Sequence, residues 1–426
     1  MSIFKNLSQN KYIGFVLRKI INFYEINKRI FLNTNNKLKL QYIDWLIEDR
    51  KTKSNEYISL SNDNYKNNNS IKLIAFYLTQ YHENEINNKY FGKGFMEWYN
   101  VTKCIPQFKG HYQPHLPIDV GFYDLSNDDI MYRQIELAKQ YGIYGFCFYY
   151  YWFSGDKLLE KPLENFLNNK ELDIPFFLFW ANETWTCLWD NGDNKKIIKK
   201  QELKDDDSEK FCNDIIKYFK DDRYIKIDNK PLLIIYKWSI FEKEKFKNFL
   251  EFLTKYTISE GFDGLYIIWN DDAIGNINIK EYSGDAIVEF SNRQLQRGLQ
   301  LLNLSRNFVI PSFKGQVFDI KKSLEKNLHL SENKDKTFKT VCCGWDNSPR
   351  KAFSNATIFS MTPKDYKKWL KDVILWTKKK YKKDEQFVFI NAWNEWAEGA
   401  HLEPDQHYGY AYLQATKEAL EETSTI

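Results

Sequence analysis

The sequence predicts an α/β fold, a (β/α)8 TIM barrel with a short N-terminal helical extension. Eight short β-rich runs follow residue 70, helical segments separate several of them, and most of the runs are continuously apolar. A continuous apolar run is typical of a strand that is buried on both faces of a parallel sheet. Eight such strands alternating with helices favour the barrel. The runs are Lys72–Tyr77, Gly145–Tyr151, Pro175–Asn182, Pro231–Tyr236, Gly264–Trp269, Ala286–Glu289, Val341–Trp345 and Phe387–Ala392.

The helical segments between these runs have recognisable ends. A helix is predicted over Asp129–Tyr141, because a cap-like Ser126-x-x-Asp129 precedes it and Gly142 follows it. Thr362 with Pro363 opens a second helix, since proline suits the first helical position. Further helices are predicted near Asp207–Lys220, Glu242–Glu260 and Tyr410–Glu421. The stretch 290–340 does not decide between strand and helix.

The first 70 residues are predicted to be a basic amphipathic helical extension and a polar linker, ahead of a catalytic domain at 71–426. Residues 1–32 contain six basic residues and one acidic residue, with apolar residues at helical spacing. Such a helix either lies peripherally on the inner, anionic membrane face or packs on the barrel with its charged face in water.

Composition excludes several classes of protein. The 426 residues carry a formal charge of +4, with 43% hydrophobic and 28% charged residues, which is globular. No run of about 18 apolar residues predicts a membrane span, and no signal peptide is evident, so a cytoplasmic location is expected. The six cysteines are expected to be buried thiols. The basic excess is confined to the N-terminal helix, so nucleic acid is not an expected partner.

Polar and aromatic residues cluster at the predicted strand ends, where catalytic groups lie in such a barrel. Nearly every end carries Trp or Tyr beside a carboxylate, an amide or an arginine. Aromatic faces stack on a pyranose and the polar groups bind its hydroxyls, whereas a purely structural end would carry Val, Leu or Ile. The expected partner is therefore an oligosaccharide or glycan. The candidate binding residues are Tyr77, Gln80, His82, Trp98, Tyr151, Trp152, Asn182, Glu183, Trp185, Trp269, Asn270, Trp345, Asp346, Arg350, Asn394 and Trp396.

The densest signal is Phe387–Pro404, where an apolar strand delivers Glu395 and Glu398. Carboxylates three residues apart share a face if the backbone turns helically. Glycosidic-bond chemistry needs one carboxylic acid for the leaving oxygen and a second carboxylate as base, nucleophile or stabiliser. On spacing alone, the alternative that either glutamate caps a helix or pairs with Arg350 stays open. Glu183 is the reserve catalytic carboxylate.

No metal or other cofactor is predicted. His111-x-x-x-His115 has the spacing of a metal pair, but Pro114 argues against a helix there. Asp205–Asp207 contains the D-x-D of metal-dependent nucleotide-sugar transferases, yet it lies at a charged helix start, where a solvated cap is favoured. The sequence contains no P-loop, G-x-S-x-G or H-E-x-x-H motif.

Seven motifs in one order carry a family resemblance over most of residues 72–415. They are Phe76–His82, Gly92–Val101, Gly110–Tyr123, Tyr141–Trp152, Phe179–Trp189, Gly344–Arg350 and Asn391–Pro404. With these motifs the chain resembles the GH99-like family, also catalogued as WbsX-type glycosyltransferases of bacterial surface-polysaccharide clusters.

The resemblance implies a chemistry and two roles. The GH99 glycosidases are retaining, metal-independent (β/α)8 endo-α-mannosidases and endo-α-mannanases. In them one Glu deprotonates the substrate's own 2-hydroxyl, giving a 1,2-anhydro sugar, and the other is the acid/base at the leaving oxygen. The family motif NEW-x-EG-x-x-x-EP matches Asn394–Pro404. By position, the resemblance makes Glu395 the base and Glu398 the acid/base.

Three hypotheses about function stay open at this point. The first is a carbohydrate-active enzyme that transfers or cleaves α-glycosidic bonds in the biosynthesis of O-antigen or capsule. The second is a catalytically silent glycan-binding barrel, against which the Glu395/Glu398 pair argues. The third is a sugar deacetylase or other hydrolase, and a metal-dependent sugar-nucleotide transferase is a further alternative. A nucleotide-sugar transferase needs a diphosphate site, for which Arg350 and Lys93 are the rim candidates.

Overall fold

A computed structural model describes residues 43–48, 53–66, 68–187, 196–271, 279–289, 300–301, 313–330, 335–351 and 356–424. The basic helix predicted in residues 1–32 lies outside the described residues, as does much of the ambiguous stretch 290–340. The chain forms two compact units. The larger comprises Lys53–Ile105, Gln113–Asn303 and Lys314–Ile426, and the smaller comprises Met1–Thr52, Pro106–Tyr112 and Leu304–Phe313. In the smaller unit, Phe108 stacks on His111 with ring centroids 4.4 Å apart.

Eight parallel strands form a barrel in the larger unit, which confirms the predicted fold class. We number them β1 to β8, and β7 consists of two pieces that flank Lys339. In the sheet they follow the order β7-β6-β5-β4-β3-β2-β1-β8-β7. The strands are β1 Lys72–Tyr77, β2 Gly145–Phe153, β3 Phe176–Trp180, β4 Lys230–Ile235, β5 Tyr266–Asn270, β6 Ala286–Val288, β7 Thr337–Phe338 and Thr340–Cys342, and β8 Phe387–Asn391.

Strand β7 closes the ring because its two pieces pair with different neighbours. The first piece pairs with β6 (Val288 opposite Phe338) and the second with β8 (Val341 opposite Ile390). The predicted bounds of this strand, Val341–Trp345, are wrong at both ends. At the C-terminal end, a Cβ atom added to Gly344 would lie 2.4 Å from the carbonyl oxygen of Gly399. The backbone at Gly344 therefore runs very close to Gly399 as it leaves the barrel. Trp345–Asp346 then pairs outside the barrel, antiparallel to Thr357–Ser360.

The helices follow the strands as predicted, with ends that differ by a residue or two. Asn127, rather than Ser126, caps the first of them, accepting the Asp129 N–H at 3.1 Å. Thr362 and Asp365 form a capping box on the long helix before β8. The helices are Glu85–Phe91, Trp98–Lys103, Asp128–Gln140, Lys161–Asn168, Asp207–Phe219, Lys243–Ser259, Lys321–Glu325, Ser348–Lys351, Pro363–Lys380 and Ala411–Glu422.

Short elements complete the described residues of the larger unit. The 3-10 turns are Ile279–Tyr282, Leu328–Leu330, Lys383–Glu385 and Trp396–Glu398. The additional strands are Asp156–Leu158, Trp185–Thr186, Ile197–Lys199, Lys226–Ile227, Gln300–Leu301, Gln316–Asp319, Trp345–Asp346, Thr357–Ser360, Asn394–Glu395 and Ala400–His401. Residues 53–66, which include part of the predicted linker, lie against the barrel, and Ile58 forms a β-bridge with Gly409.

Alternation along the strands decides which side chains reach the barrel interior. Phe76 points inward and packs on Phe179 and Phe389, with ring centroids 5.6 and 5.5 Å away. Its neighbour Tyr77 points outward and donates its hydroxyl to Gln134 on the surrounding helix. Two consecutive residues of a strand therefore serve different layers.

Two other predictions concern the environment of the chain. All six cysteines are buried free thiols, as predicted. Within the described parts of the chain, no helix combines the length and the apolar character that crossing a bilayer requires.

Candidate active site

The loops after the strands enclose a cavity of about 320 Å³, a volume in the range of small-ligand sites. Its wall combines charged groups, amides and aromatic rings. Of the eighteen candidate residues, eight line it: Gln80, Tyr151, Glu183, Trp185, Trp345, Arg350, Glu395 and Glu398.

Arg350 joins three carboxylates at one side of this cavity. Its Nε donates to Glu97 Oε1 at 2.9 Å, one terminal nitrogen to Glu395 Oε1 at 2.9 Å, and the other to Glu398 Oε1 at 2.7 Å. Gln80 also donates to Glu395 at 3.4 Å. The Arg350 side chain is only 7% exposed, so these are short, poorly screened interactions.

A tight hairpin presents the two glutamates. Asn394–Glu395 pairs antiparallel with Ala400–His401, and a 3-10 turn, Trp396–Glu398, connects them. The turn ends at Gly399 with φ of +60°, a left-handed conformation that favours glycine. The helical turn that the carboxylate spacing required is therefore present, and both side chains reach Arg350.

The hairpin is fixed from behind by buried polar groups. The Asn394 side chain accepts the Leu78 N–H at 2.8 Å and donates to the Leu78 carbonyl at 3.0 Å, which ties the hairpin to the end of β1. The Trp396 indole donates to Glu403 at 2.7 Å, and Glu403 also accepts from Tyr123 and Gln134. Burial raises the pKa of Glu403 to about 7, against the surrounding hydrogen-bond donors, which lower it.

The pKa values of both central glutamates are raised. Burial is the largest cause for Glu395, Arg350 opposes it, and the charges of Glu398 and Glu97 add to it. For Glu398 the order is again burial, the opposing Arg350, and then Glu97. Burial alone would lower the pKa of Arg350, but the three carboxylates raise it well above the ordinary value, so it stays charged.

The charge balance follows from these contacts. Three ionised carboxylates and one guanidinium together carry a net charge of −2. Burying this net charge away from water is energetically unfavourable. A proton held by one glutamate of the pair reduces that excess. The arrangement therefore favours one protonated and one ionised carboxyl group, the state that acid/base chemistry requires.

The opposite wall holds the reserve carboxylate and an aromatic surface. Glu183 forms an ion pair with Lys237. Trp185 packs edge-on against Tyr151, with centroids 5.1 Å apart. Glu183 thus already has a cationic partner, whereas Glu395 and Glu398 share theirs.

The other ten candidates lie outside this cavity, and strand alternation explains three of them. Tyr77, Trp152 and Trp269 point outward into the helical layer. The Trp152 indole donates to Asp214 at 2.9 Å, and Trp269 packs on Phe246 with centroids 6.0 Å apart.

The remaining seven hold loops in place or fill the core. Asn182 and Asn394 are clamps on backbone groups, of Lys237 and Leu78 respectively. The buried rings of Trp98 and Trp396 pack on each other, with centroids 5.4 Å apart. Nδ1 of His82 contacts the Thr79 carbonyl. The Asp346 carboxylate accepts hydrogen bonds from Gln113 and Ser348. Asn270 is fully buried at the end of β5.

Several lining residues are absent from the candidate set. Glu97 comes from the long loop after β1, inside the motif Gly92–Val101. Tyr149 and Tyr236 also line the wall. Tyr149 shares its strand face with Tyr151, so the period of two along the strand is the signal that could have found it. The other lining residues are Leu78, Asn87, Phe91, Phe95, Asn100, Leu159, Ala181 and Ile198.

Hydrogen bonds and ion pairs hold Asp205–Asp207 and His111, which come from the two metal-like motifs of the sequence. Asp205 is fully exposed and pairs with Lys245, and Asp206 pairs with Lys210. Asp207 accepts from Ser154 at 2.7 Å at the start of its helix. Asp205 and Asp206 thus have the contacts of a solvated helix start, whereas Asp207 is buried. His111 belongs to the smaller unit, where it accepts the Gln107 N–H at 3.0 Å.

A (β/α)8 barrel whose strand ends enclose buried carboxylates, one arginine and aromatic rings is a fold and site of carbohydrate-active enzymes. The chain belongs to the glycosyltransferase WbsX family, whose model matches residues 73–416. It is 35% identical over 365 residues to the uncharacterized protein WxcX of Xanthomonas campestris pv. campestris, in two strains. That match covers 82% of this chain and 49% of the relative, so the chain spans about half the length of the curated relatives it matches.

Solved structures share the fold at low sequence identity. A glycoside hydrolase-like protein superposes with a TM-score of 0.52 at 14% identity, over 86% of this chain and 98% of that one. The GH99 endo-α-mannosidase from Bacteroides thetaiotaomicron, in complex with bis-tris propane, superposes with a TM-score of 0.50 at 12% identity, over 82% and 96%.

Proposed function

We propose that this chain processes α-glycosidic bonds of a cell-surface polysaccharide, O-antigen or capsule, with Glu395 and Glu398 as the catalytic pair. One observation carries the proposal: a single buried arginine binds both carboxylates at the wall of a cavity that aromatic rings also line. The WbsX family membership supports a glycan as substrate.

The proposed reaction has two steps with these two groups. In the first, ionised Glu395 takes the proton of the sugar 2-hydroxyl and O2 attacks C1. The bond from C1 to the leaving oxygen breaks, and that oxygen takes the proton of Glu398. In the second, Glu398 takes a proton from the incoming hydroxyl, whose oxygen attacks C1, and O2 leaves C1 and regains its proton from Glu395. Two inversions at C1 give net retention.

The incoming group decides the outcome. Water as the second nucleophile gives hydrolysis, and a sugar hydroxyl gives transfer. The same carboxylates serve both, because each step needs one proton donor and one acceptor.

The charge of the wall argues against a nucleotide-sugar donor in this cavity. Four of the lining residues are glutamates: Glu97, Glu183, Glu395 and Glu398. Among the described residues Arg350 is the basic side chain of the lining, and it already meets three carboxylates. Lys93, the other rim candidate, is not in this wall. A diphosphate would add negative charge to an acidic site, which favours a glycan that carries no nucleotide.

Thermal-shift binding with two ligand sets tests the proposal. One set contains nucleotide sugars and nucleoside diphosphates, and the other contains α-linked oligosaccharides and iminosugars. We expect the second set to raise the Tm. In product analysis, we expect the anomeric configuration to be retained. Stabilisation by nucleotides alone would contradict the proposal. Binding of oligosaccharides with no turnover, in wild type and in Glu398→Gln alike, would instead indicate a glycan-binding barrel.

The cellular setting stays a prediction. A cytoplasmic protein that residues 1–32 hold at the inner membrane face suits the assembly of a surface polysaccharide, and those residues lie outside the described part of the chain. Vesicle co-sedimentation of the full chain with anionic and neutral lipids tests it. Equal binding to both, or to neither, contradicts the membrane role.

A further inference from the structure

Three metal-ligating side chains converge behind the catalytic hairpin. One nitrogen of His115, one of His401 and a carboxylate oxygen of Asp405 all lie within 4.8 Å of one another. His115 Nδ1 is 2.8 Å from His401 Nε2, which is 3.8 Å from Asp405 Oδ2. His401 and Asp405 are buried and His115 is partly exposed, and none of the three is in the wall of the catalytic cavity.

Neighbouring backbone groups orient two of these side chains. His401 Nδ1 is 2.9 Å from the Glu403 carbonyl oxygen. A carbonyl only accepts, so Nδ1 carries the proton and the lone pair of Nε2 faces the cluster. Asp405 Oδ1 accepts the N–H groups of His407 and Tyr408 at 2.8 and 2.7 Å, which directs Oδ2 toward His401. Outer hydrogen bonds of this kind are typical of metal ligands.

We propose that His115, His401 and Asp405 bind one divalent transition-metal ion, with Zn²⁺ as the best-suited cation. Two imidazoles and a carboxylate are a common zinc ligand set with a fourth position for water. The sequence predicts no metal, since Pro114 argues against a helical pair of His111 and His115, and His401 and Asp405 lie almost 300 residues from His115. The proposal does not depend on the reaction assigned to the cavity.

Both the histidine pair and the carboxylate must adjust to hold the ion, because Asp405 Oδ2 is 3.8 Å from His401 Nε2 and the three ligand atoms span up to 4.8 Å. Zn–N bonds of about 2.0–2.1 Å in a tetrahedron place two ligand nitrogens about 3.3 Å apart. The observed 2.8 Å is the length of a hydrogen bond from His115 Nδ1 to His401 Nε2. The ion replaces that hydrogen, the proton of His115 moves to its Nε2, and the loop that carries His115 shifts by about 0.5 Å.

The ion would link the loop after β1, which carries His115, to His401 and Asp405 at the end of the glutamate hairpin. Pro117 forms a β-bridge with Asp405, and the Ile118 N–H donates to the Pro404 carbonyl at 3.0 Å. The His401 ring stacks on Trp396, with centroids 3.7 Å apart, and Trp396 lies between the two catalytic glutamates in sequence. The role of the ion is therefore structural, behind the site rather than in it.

Titration of the tag-free, chelator-treated full chain with Co²⁺ tests the proposal. We expect one Co²⁺ per chain, a visible absorption band of low-symmetry coordination, displacement by Zn²⁺, and a higher Tm with Zn²⁺. His115→Ala and Asp405→Asn should each weaken Co²⁺ binding at least tenfold. Asp405→Asn keeps the Oδ1 acceptor of the two backbone bonds, so it separates loss of a ligand from loss of the fold.

His407→Ala is the matched control, because His407 is a partly exposed histidine two residues from Asp405 and outside the cluster. It should bind Co²⁺ as the wild type does. Wild type without a Co²⁺ band and without a Zn²⁺-dependent Tm would overturn the proposal. Equal binding by wild type, His115→Ala and Asp405→Asn would also overturn it.

Discussion

Arg350 and Glu97 meet at the wall of the cavity, with Nε of the arginine 2.9 Å from Oε1 of the glutamate. This contact uses the Nε–H group of the guanidinium, so its two terminal nitrogens donate to Glu395 and Glu398. Glu97 thereby sets the orientation of the group that holds the proposed catalytic pair. It also adds a negative charge that raises the pKa of both glutamates.

Glu97→Gln should therefore change both the rate and its pH dependence. With one carboxylate fewer, the pKa values of Glu395 and Glu398 fall, so both limbs of the pH–rate profile move to lower pH. We expect kcat to fall by about ten- to a hundredfold, because the arginine loses its fixed orientation. Glu85→Gln, an exposed glutamate of the same loop, is the control. An unshifted pH profile in Glu97→Gln would argue that Glu97 acts on structure alone.

Glu398→Gln should slow turnover strongly while the protein stays folded. Loss of the proton donor at the leaving oxygen costs about 10²–10⁴ in rate. Its removal also lowers the negative charge around Arg350, so the Tm should equal or exceed that of the wild type. Steady-state kinetics and thermal unfolding measure both, with exposed Glu209→Gln as control. Turnover equal to that of an active wild type would move catalysis to Glu183, and no turnover in either protein would favour a silent glycan-binding barrel.

Arg350→Lys should show how much the planar guanidinium contributes to the free energy of unfolding. A lysine keeps the charge but cannot direct parallel donors at three carboxylates. We expect a loss of about 2 kcal/mol in the free energy of unfolding, the scale of a hydrogen bond to a buried charged group. The same change at Arg133, a third exposed and paired with Asp119, should cost less than about 1 kcal/mol. Urea unfolding compares the two, and equal losses would contradict the shared role of Arg350.

Much of the fold was predictable because seven of the eight strands are uninterrupted apolar runs. Strand β7 was misplaced because Lys339 and two threonines break its apolar pattern. Lys339 is buried there beside Glu289, at 2.7 Å, and a charged residue in a strand is acceptable when such a partner exists. That partner comes from the end of another strand, fifty residues earlier in the chain, so no local pattern reveals it.

The site was predictable as a region more than residue by residue. The spacing of Glu395 and Glu398 leaves their role open, and the match of Asn394–Pro404 to the family motif is what proposes them as a pair. Which residue of a consecutive pair faces the cavity depends on the strand register, and this separates Tyr151 from Trp152. Glu97 reaches Arg350 from 253 positions earlier in the chain, through a loop whose path sequence patterns do not define.

The free energy of unfolding should change with pH as Glu403 titrates. Burial raises its folded pKa to about 7, above an unfolded value of about 4.3. The folded state therefore holds this proton more tightly, so the contribution of Glu403 is complete below pH 4.3 and declines as the pH rises through 7. The linkage amounts to at most about 4 kcal/mol. Unfolding of wild type and Glu403→Gln from pH 5 to 8 isolates it. The variant loses an acceptor for Gln134 and is less stable at pH 5, and its deficit should shrink toward pH 8. A deficit that stays constant with pH would show that Glu403 does not titrate in this range.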